Sequence, residues 1–276
     1  MSMVVNTNIL SLITQSDITN TTQKLNTAVE QLSSGMRINS AEDDPAGLAI
    51  ATGMQSQVNG MNQGVINANS AISYAQTADG ALGSVSNMLQ QMRTLAVEAA
   101  NGSNSSASDS DLDSEFQQLA SQISQTLTNT QFNGQAIFSS SGTITYQVGA
   151  NTTDQIAVGG MNIASTAALS AASLGSLTSE TSATSAISAV DAALTLVNNT
   201  RATNGANEIR FQQVVSTEQI NSQNTAAAES SIMDTDYAQA TSNLTQAEIV
   251  QQAGTAMLSQ ANSIPQNVLS LLSKLP

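Results

Sequence analysis

The stretch VQQAGTAMLSQANSIPQNVLSLL, residues 250–272, decides how this chain folds. Within it Val250, Gly254, Met257, Ala261, Ile264, Val268 and Leu271 recur at alternating intervals of four and three residues. An α-helix turns once in about 3.6 residues, so this rhythm sets them along one side of a helix. Near the other end Ile18, Leu25 and Leu32 step by seven, with Val29 in the intermediate place. A stripe sustained in this way seeks another helix. Neither end can bury its stripe alone, so the function is expected to lie in what the ends pack against.

Working inward, the first helix is expected to stop at Ser33-Ser34-Gly35, where Gly35 can take the left-handed C-terminal conformation. After a connector from Met36 to Asp43, Asp44-Pro45 reads as an N-cap and a first helical position. A long helix should then run to about Ala100. Its interleaved series Ala75, Leu82, Leu89, Ala96 and Ala78, Val85, Met92, Ala99 form a coiled-coil-like seam of small and medium residues. NGSNSSASDSD (101–111) reads as a loop, and Leu112, Phe116, Leu119, Ile123 and Leu127 mark a third helix. Asn133-Gly134 is a turn signal, and TITYQV (143–148) with QIAV (155–158) reads as a β-hairpin. Residues 159–185 have little periodicity and read as loop or weak helix. A helical stripe restarts at Ile187 and runs to about Ser230, and a last helix covers roughly Asp236 to Leu272. Pro265 should kink that helix or split off its end.

The expected fold is mainly α: a long antiparallel coiled-coil-like bundle built from both chain ends, with a small β-hairpin region in the middle. Its parts are a core-forming N-terminal helix (1–41), two halves of a helical rod (42–140 and 186–236), a short central region (141–185) and a core-forming C-terminal helix (237–276).

Composition excludes several functions. Only 9% of the 276 residues are charged, and the net charge is −14. Residues 1–41 and 237–276 are each neutral, so the whole excess lies in 42–236, as 17 acidic against 3 basic residues. Neutral ends can crowd together without self-repulsion, whereas nucleic-acid or membrane-surface binding needs a basic face these ends lack. There is no Cys, His or Trp. Disulfides, thiol nucleophiles, His triads and the usual zinc sites are therefore absent. No cofactor is expected and no enzyme activity. Asp109, Asp111 and Asp113 have the alternation of a calcium loop, but Ser114 stands where Gly is needed and Ala120 where the bidentate Glu should be. No basic segment precedes an apolar run and no apolar stretch approaches a membrane span, so the chain is expected to be soluble, and either cytoplasmic or exported by a route that needs no cleaved signal peptide. Arg37 with Asp43 and Asp44 is expected to form an ion cluster in the connector, because Arg pairs carboxylates bidentately.

Several blocks carry a resemblance: SSGMRINSAEDDPAGLAIA (33–51), QTADGAL (76–82), LQQMRTLAVEAANG (89–102), TQFNG (130–134), YQVGAN (146–151), MDTDYAQ (233–239), IVQQAGTAMLSQAN (249–262) and PQNVLSLL (265–272). In these the chain resembles bacterial flagellin, over nearly everything outside about 152–200. The resemblance implies the structural subunit of the extracellular flagellar filament, in a minimal form whose middle is too short for large outer domains. It implies ends that are disordered in the monomer and fold on assembly, in a helical homopolymer of identical chains. The interface would be carried by Leu25, Val29, Leu32, Val250, Met257, Ala261, Ile264, Val268 and Leu271. The partners implied are other copies of the chain, the flagellar export apparatus, a flagellin-specific export chaperone on the C-terminal helix, the filament cap and hook-associated proteins.

The family also implies a contact with Toll-like receptor 5 along Leu89, Gln90, Gln91, Leu95 and Glu98, with Glu115 beside them. Gln91 replaces the Arg common in strongly recognised members and Glu98 a common Gln, so recognition should be weakened. One alternative, a hook–filament junction protein, shares the helical ends; another, of a different class, is a secreted monomeric ligand of host innate immune receptors. The full NSAEDDPAGLAIA and PQNVLSLL blocks favour the filament subunit.

Overall fold

A computed structural model describes residues 7–139, 142–163 and 169–272. The elements are α1 (Ile9–Ser34), α2 (Pro45–Ala99), α3 (Ser106–Asn129), β1 (Gln131–Phe132), β2 (Gln135–Ala136), β3 (Ile144–Gln147), β4 (Gln155–Val158), α4 (Ala171–Leu174), α5 (Glu180–Met233) and α6 (Tyr237–Leu272). They form two compact units, one of residues 1–55 with 224–276 and one of residues 56–223. No described helix is long and apolar enough to cross a membrane.

Local signals account for most boundaries. Gly35 ends α1 at φ 73°, with its N–H donating to the Gln31 carbonyl at 2.9 Å. Two helices begin earlier than their apolar periodicity suggests. Ser105 accepts the Ser108 N–H at 3.2 Å and Asp109 lies in the first turn of α3, so the helix starts at Ser106 inside the expected loop. Ser179 likewise accepts the Ser182 N–H at 3.3 Å and starts α5 at Glu180. The α6 helix continues through Pro265 rather than splitting there.

In the second unit both series on α2 are buried, none of the eight residues more than 3% exposed. They share a core with Phe116, Ile123 and Leu127 of α3, Val190 and Val197 of α5, and Ile137 and Phe138 after β2. Helices α2 and α5 run antiparallel: Arg93 Nε donates to Asp191 Oδ1 at 2.7 Å, Arg201 Nε to Asp79 Oδ1 at 2.8 Å, and Ser222 Oγ to Asn62 Oδ1 at 3.1 Å. Between β1 and β2, Asn133 (φ 50°) and Gly134 (φ 77°) supply the two left-handed residues of a tight hairpin turn. The β3–β4 hairpin pairs Ile144 with Val158 through to Gln147 with Gln155.

That hairpin lies on α2 where α2 has no side chains to hold it off. A Cβ at Gly64 would collide with the Val148 carbonyl, and one at Gly60 would come within 2.8 Å of Ala150 Cβ. Asn67 Nδ2 donates to the Gln147 carbonyl at 2.8 Å, and Val148, Ile156 and Val158 bury against Ala68, Ala71 and Phe211. Tyr146 meets Phe211 edge-on at 5.4 Å, and burial with the nearby Tyr74 pushes its phenol up to about 12. Gly64→Ala should therefore destabilise the second unit by about 1–3 kcal/mol through overpacking. Gly80→Ala, at an exposed helical position with open space around it, should stabilise it by about 0.5–1 kcal/mol. Urea denaturation of the two variants beside the parent measures both signs.

Candidate assembly interface

The first unit is built on α1 and α6, which run antiparallel. Asn8 sits at one end, accepting the Ser11 N–H at 3.1 Å and donating to the Ala261 carbonyl at 2.9 Å. Gln251 reaches Thr22 Oγ1 at 3.5 Å, and Gly35 lies against Tyr237 at the other end. On α1 the inward positions are Thr14, Ile18, Thr21, Leu25, Ala28 and Leu32; Thr14, Thr21 and Ala28 are buried and the others half-buried. On α6 they are Ala240, Leu244, Ala247, Gln251, Gly254, Leu258 and Ala261, a three/four series in which the alanines are buried. Small residues set this seam. A Cβ at Gly254 would stand 2.9 Å from Ile18 Cγ1, so the glycine is what lets the helices approach.

The series read from Val250 onward shares only Gly254 and Ala261 with that seam. Its large members point outward: Val250 is 46% exposed, Met257 55% and Ile264 41%. Val29, and Ile9, Leu10, Leu12 and Ile13 on α1, are exposed too. Of the residues expected in the interface, Leu25, Leu32 and Ala261 thus pack within the chain, and Val29, Val250, Met257 and Ile264 are exposed beside the seam, with Val250 on the rim of a groove it shares with Thr21, Lys24 and Ala28 of α1. The side chains of Val268 and Leu271 lie outside the described residues. Two overlapping heptads explain the split: the helix pair selects the one with smaller residues because close backbone approach gains more contact. Val250, Met257 and Ile264 are left as a row of exposed apolar side chains at seven-residue spacing along α6.

Arg37, Asp43 and Asp44 come into one connector but do not pair. Among the described residues the ion pairs are Arg93–Asp191 and Arg201–Asp79. Arg37 Nη2 instead donates to the Ile232 carbonyl at 2.6 Å, at the C-terminal end of α5 where carbonyls lack helical partners. Its backbone N–H donates to the Met233 carbonyl at 2.6 Å, next to an antiparallel bridge between Met36 and Asp234. Asp43 Oδ2 accepts the N–H groups of Ser40 (2.9 Å) and Asn39 (3.0 Å), and Asp44 Oδ1 accepts the Gly47 N–H at 2.9 Å. Unpaired backbone groups thus claim all three charges before the charges can claim one another. The expected ion cluster is replaced by three separate caps.

On α2, Leu89 is fully buried and Leu95 half-buried, while Gln90, Gln91 and Glu98, and Glu115 on α3, are exposed. Leu89 belongs to the core and is not available to a partner. Asp113 accepts the Leu177 N–H at 2.7 Å, which ties α3 to the segment leading into α5. Sequence reading did not anticipate the two Arg–Asp pairs; their signal was opposite charge at facing positions of two antiparallel heptads, visible only once the helices are aligned.

The chain is mainly α, pairs its first helix with its last, and leaves a row of apolar residues exposed beside that pair. Family models agree at both ends: the bacterial flagellin N-terminal helical region matches residues 5–143 and the bacterial flagellin C-terminal helical region residues 187–272. A flagellin of Halalkalibacterium halodurans is 38% identical over 89% of this chain and 90% of its own length. One from Xenorhabdus nematophila is 38% identical over 99% of this chain and 100% of its own. The crystal structure of Bacillus cereus flagellin, 30% identical, superposes with a TM-score of 0.51 over 55% of this chain and 88% of that one. The chain belongs to the bacterial flagellins, a family of structural proteins and not enzymes.

The connector has a calculable pH response. Hydrogen bonds from Ser40 and then Asn39 hold the Asp43 carboxyl below the usual carboxylate range. With its folded value depressed, its stabilising contribution is complete at neutral pH and decays as pH falls below about 4. Protection factors of the Asn39 and Ser40 amides, with the intrinsic pH dependence of exchange divided out, should therefore fall on acidification through that range, and Asp43→Ala should leave them low throughout.

Proposed function

We propose that this chain is the self-polymerising subunit of an extracellular flagellar filament that serves swimming motility, with the outer face of the α1–α6 pair as its polymerisation surface. The observation that carries this reading is the outward row of Val250, Met257 and Ile264, accompanied by Val29 and the exposed aliphatic residues of early α1. In an open helical polymer each copy meets the next through a contact that does not close, and such a face is covered by another copy at every step but the last. Residues 1–41 and 237–276 are each neutral, so bringing many of them together costs little Coulomb repulsion. Ordering of these ends is coupled to assembly, because a narrow intrachain seam of Thr, Ala and Gly returns little apolar burial for two long helices.

The remaining partners follow from family membership: the export apparatus, a chaperone on α6 before assembly, and the cap and hook-associated proteins at the filament ends. Recognition by Toll-like receptor 5 would fall on the exposed Gln90, Gln91, Glu98 and Glu115 and not on Leu89. Gln91→Arg should strengthen activation of that receptor in a reporter-cell assay; equal activation by the two chains would sink this contact.

Met257→Asp combined with Ile264→Asp tests the polymerisation surface. Each change would place a carboxylate in a dehydrated contact without a partner, which should raise the critical concentration by about two orders of magnitude or more. Helices α2, α3 and α5 should keep their thermal midpoint, since neither residue touches their core. Negative-stain microscopy and sedimentation read the outcome, and abundant filaments from the double variant would refute the surface.

A further inference from the structure

The outward row contains one atom whose chemistry differs from its neighbours. Met257 is the most exposed of the described methionines, at 55%, and Met92 (0%), Met61 (7%) and Met161 (8%) are buried. The chain has no Cys and no Trp, so methionine sulfur is its most readily oxidised group. Met257 stands seven residues from Val250 on one side and seven from Ile264 on the other, both aliphatic and exposed. Of the side chains one turn away, Ala253, Gly254 and Ala261 carry no hydrogen-bond donor and only Gln260 does.

We propose that Met257 is a reversible oxidation site for hydrogen peroxide and other small hydroperoxides, and that its sulfoxide prevents the outer face of the α1–α6 pair from taking a second copy. The proposal rests on the filament reading above. A lone pair on Sδ attacks one peroxide oxygen, the O–O bond breaks, and the departing hydroxide leaves as water with the transferred proton. Sulfur is oxidised by two electrons, and one peroxide oxygen is reduced to water while the other stays on sulfur. The product replaces a flexible apolar group with a strongly polar S=O acceptor. In free subunits that oxygen stays hydrated. In a contact between copies it would be dehydrated among aliphatic neighbours, and an unpaired buried acceptor is costly. Assembly and oxidation therefore compete for the same face: a free chain is vulnerable, an incorporated one is shielded, and a reductase acting on methionine sulfoxide returns the free chain to competence.

The test exposes full-length monomer, preformed polymer and the variants Met257→Leu and Met36→Leu to hydrogen peroxide. Peptide mass spectrometry reads oxidation at each methionine, and each chain's critical concentration is compared with its own untreated value. Met257 should oxidise several-fold faster than Met61, Met92 or Met161 in monomer, and several-fold slower in polymer than in monomer. Oxidised parent and oxidised Met36→Leu should show a critical concentration raised at least about tenfold, restored by a methionine sulfoxide reductase. Oxidised Met257→Leu should stay near its own untreated value. Equal loss of assembly in oxidised Met257→Leu, or Met257 oxidation no faster than that of Met92 in monomer, would overturn the proposal. Failure of the untreated chain to polymerise would instead overturn the filament reading, and the switch with it.

Discussion

The close approach of α1 and α6 at Gly254 is the constraint on which the rest of the first unit depends. A Cβ there would stand 2.9 Å from Ile18 Cγ1, so Ile18 would have to shift for the two helices to keep their spacing. Close contact lets Ala28, Ala240, Ala247 and Ala261 fill the seam, and once alanines fill it the larger aliphatics have no room inside. Val250, Met257 and Ile264 are outward because the helix pair is tight. A looser pair could have turned them inward and satisfied itself, leaving no face for a partner. On the filament reading, the glycine would thus link local backbone geometry to assembly.

That constraint also explains what could and could not be read from the chain. The long helices were legible, since three/four spacing recurs over long segments, left-handed residues at Gly35 and Asn133-Gly134 mark two boundaries, and Pro45, with its φ fixed for a first helical turn, marks another. The two α2 series from Ala75 to Ala99 were legible and all eight are buried, whereas Tyr74 and the buried positions from Ala51 to Ala71 were not read. On α6 the reading was incomplete. Two heptads overlap at Gly254 and Ala261, and periodicity cannot say which one faces the intrachain partner. Packing decides it, through the size of residues on a different helix. The starts of α3 and α5 were missed for a simpler reason: serine caps extend a helix beyond its apolar stripe, into segments that composition alone marks as loop.

The connector shows a competition that pairwise charge reasoning overlooks. Arg37, Asp43 and Asp44 lie within a few residues of one another, and opposite charges on an exposed segment attract by at most about 1 kcal/mol. Backbone groups at a helix end or in a turn have no other partner, so each charge does better as a cap than as half of an ion pair. As a result the two chain ends are tied through backbone as well as side chains: Gly35 accepts from the Thr235 N–H at 2.9 Å while Arg37 holds the end of α5. Both α1 and α6 enter their pairing from one fixed point, and their register follows.

Charge distribution completes the argument about assembly. Arg93 and Arg201 are each taken up by one aspartate, and these pairs cancel without reducing the excess. The full −14 remains in 42–236, where only Arg210 is left to offset the other carboxylates. Charges on neighbouring copies interact over a screening length of about 8–10 Å in ordinary salt. Identical acidic units therefore resist approach most strongly at low ionic strength, while neutral ends do not resist at all. On the filament reading proposed above, an apolar face on neutral helices and repulsion on the acidic remainder would divide the labour: contact between copies would be favoured at the ends and opposed elsewhere. A chain so divided would have one preferred way to meet itself, which is the condition for a regular polymer in place of an amorphous aggregate.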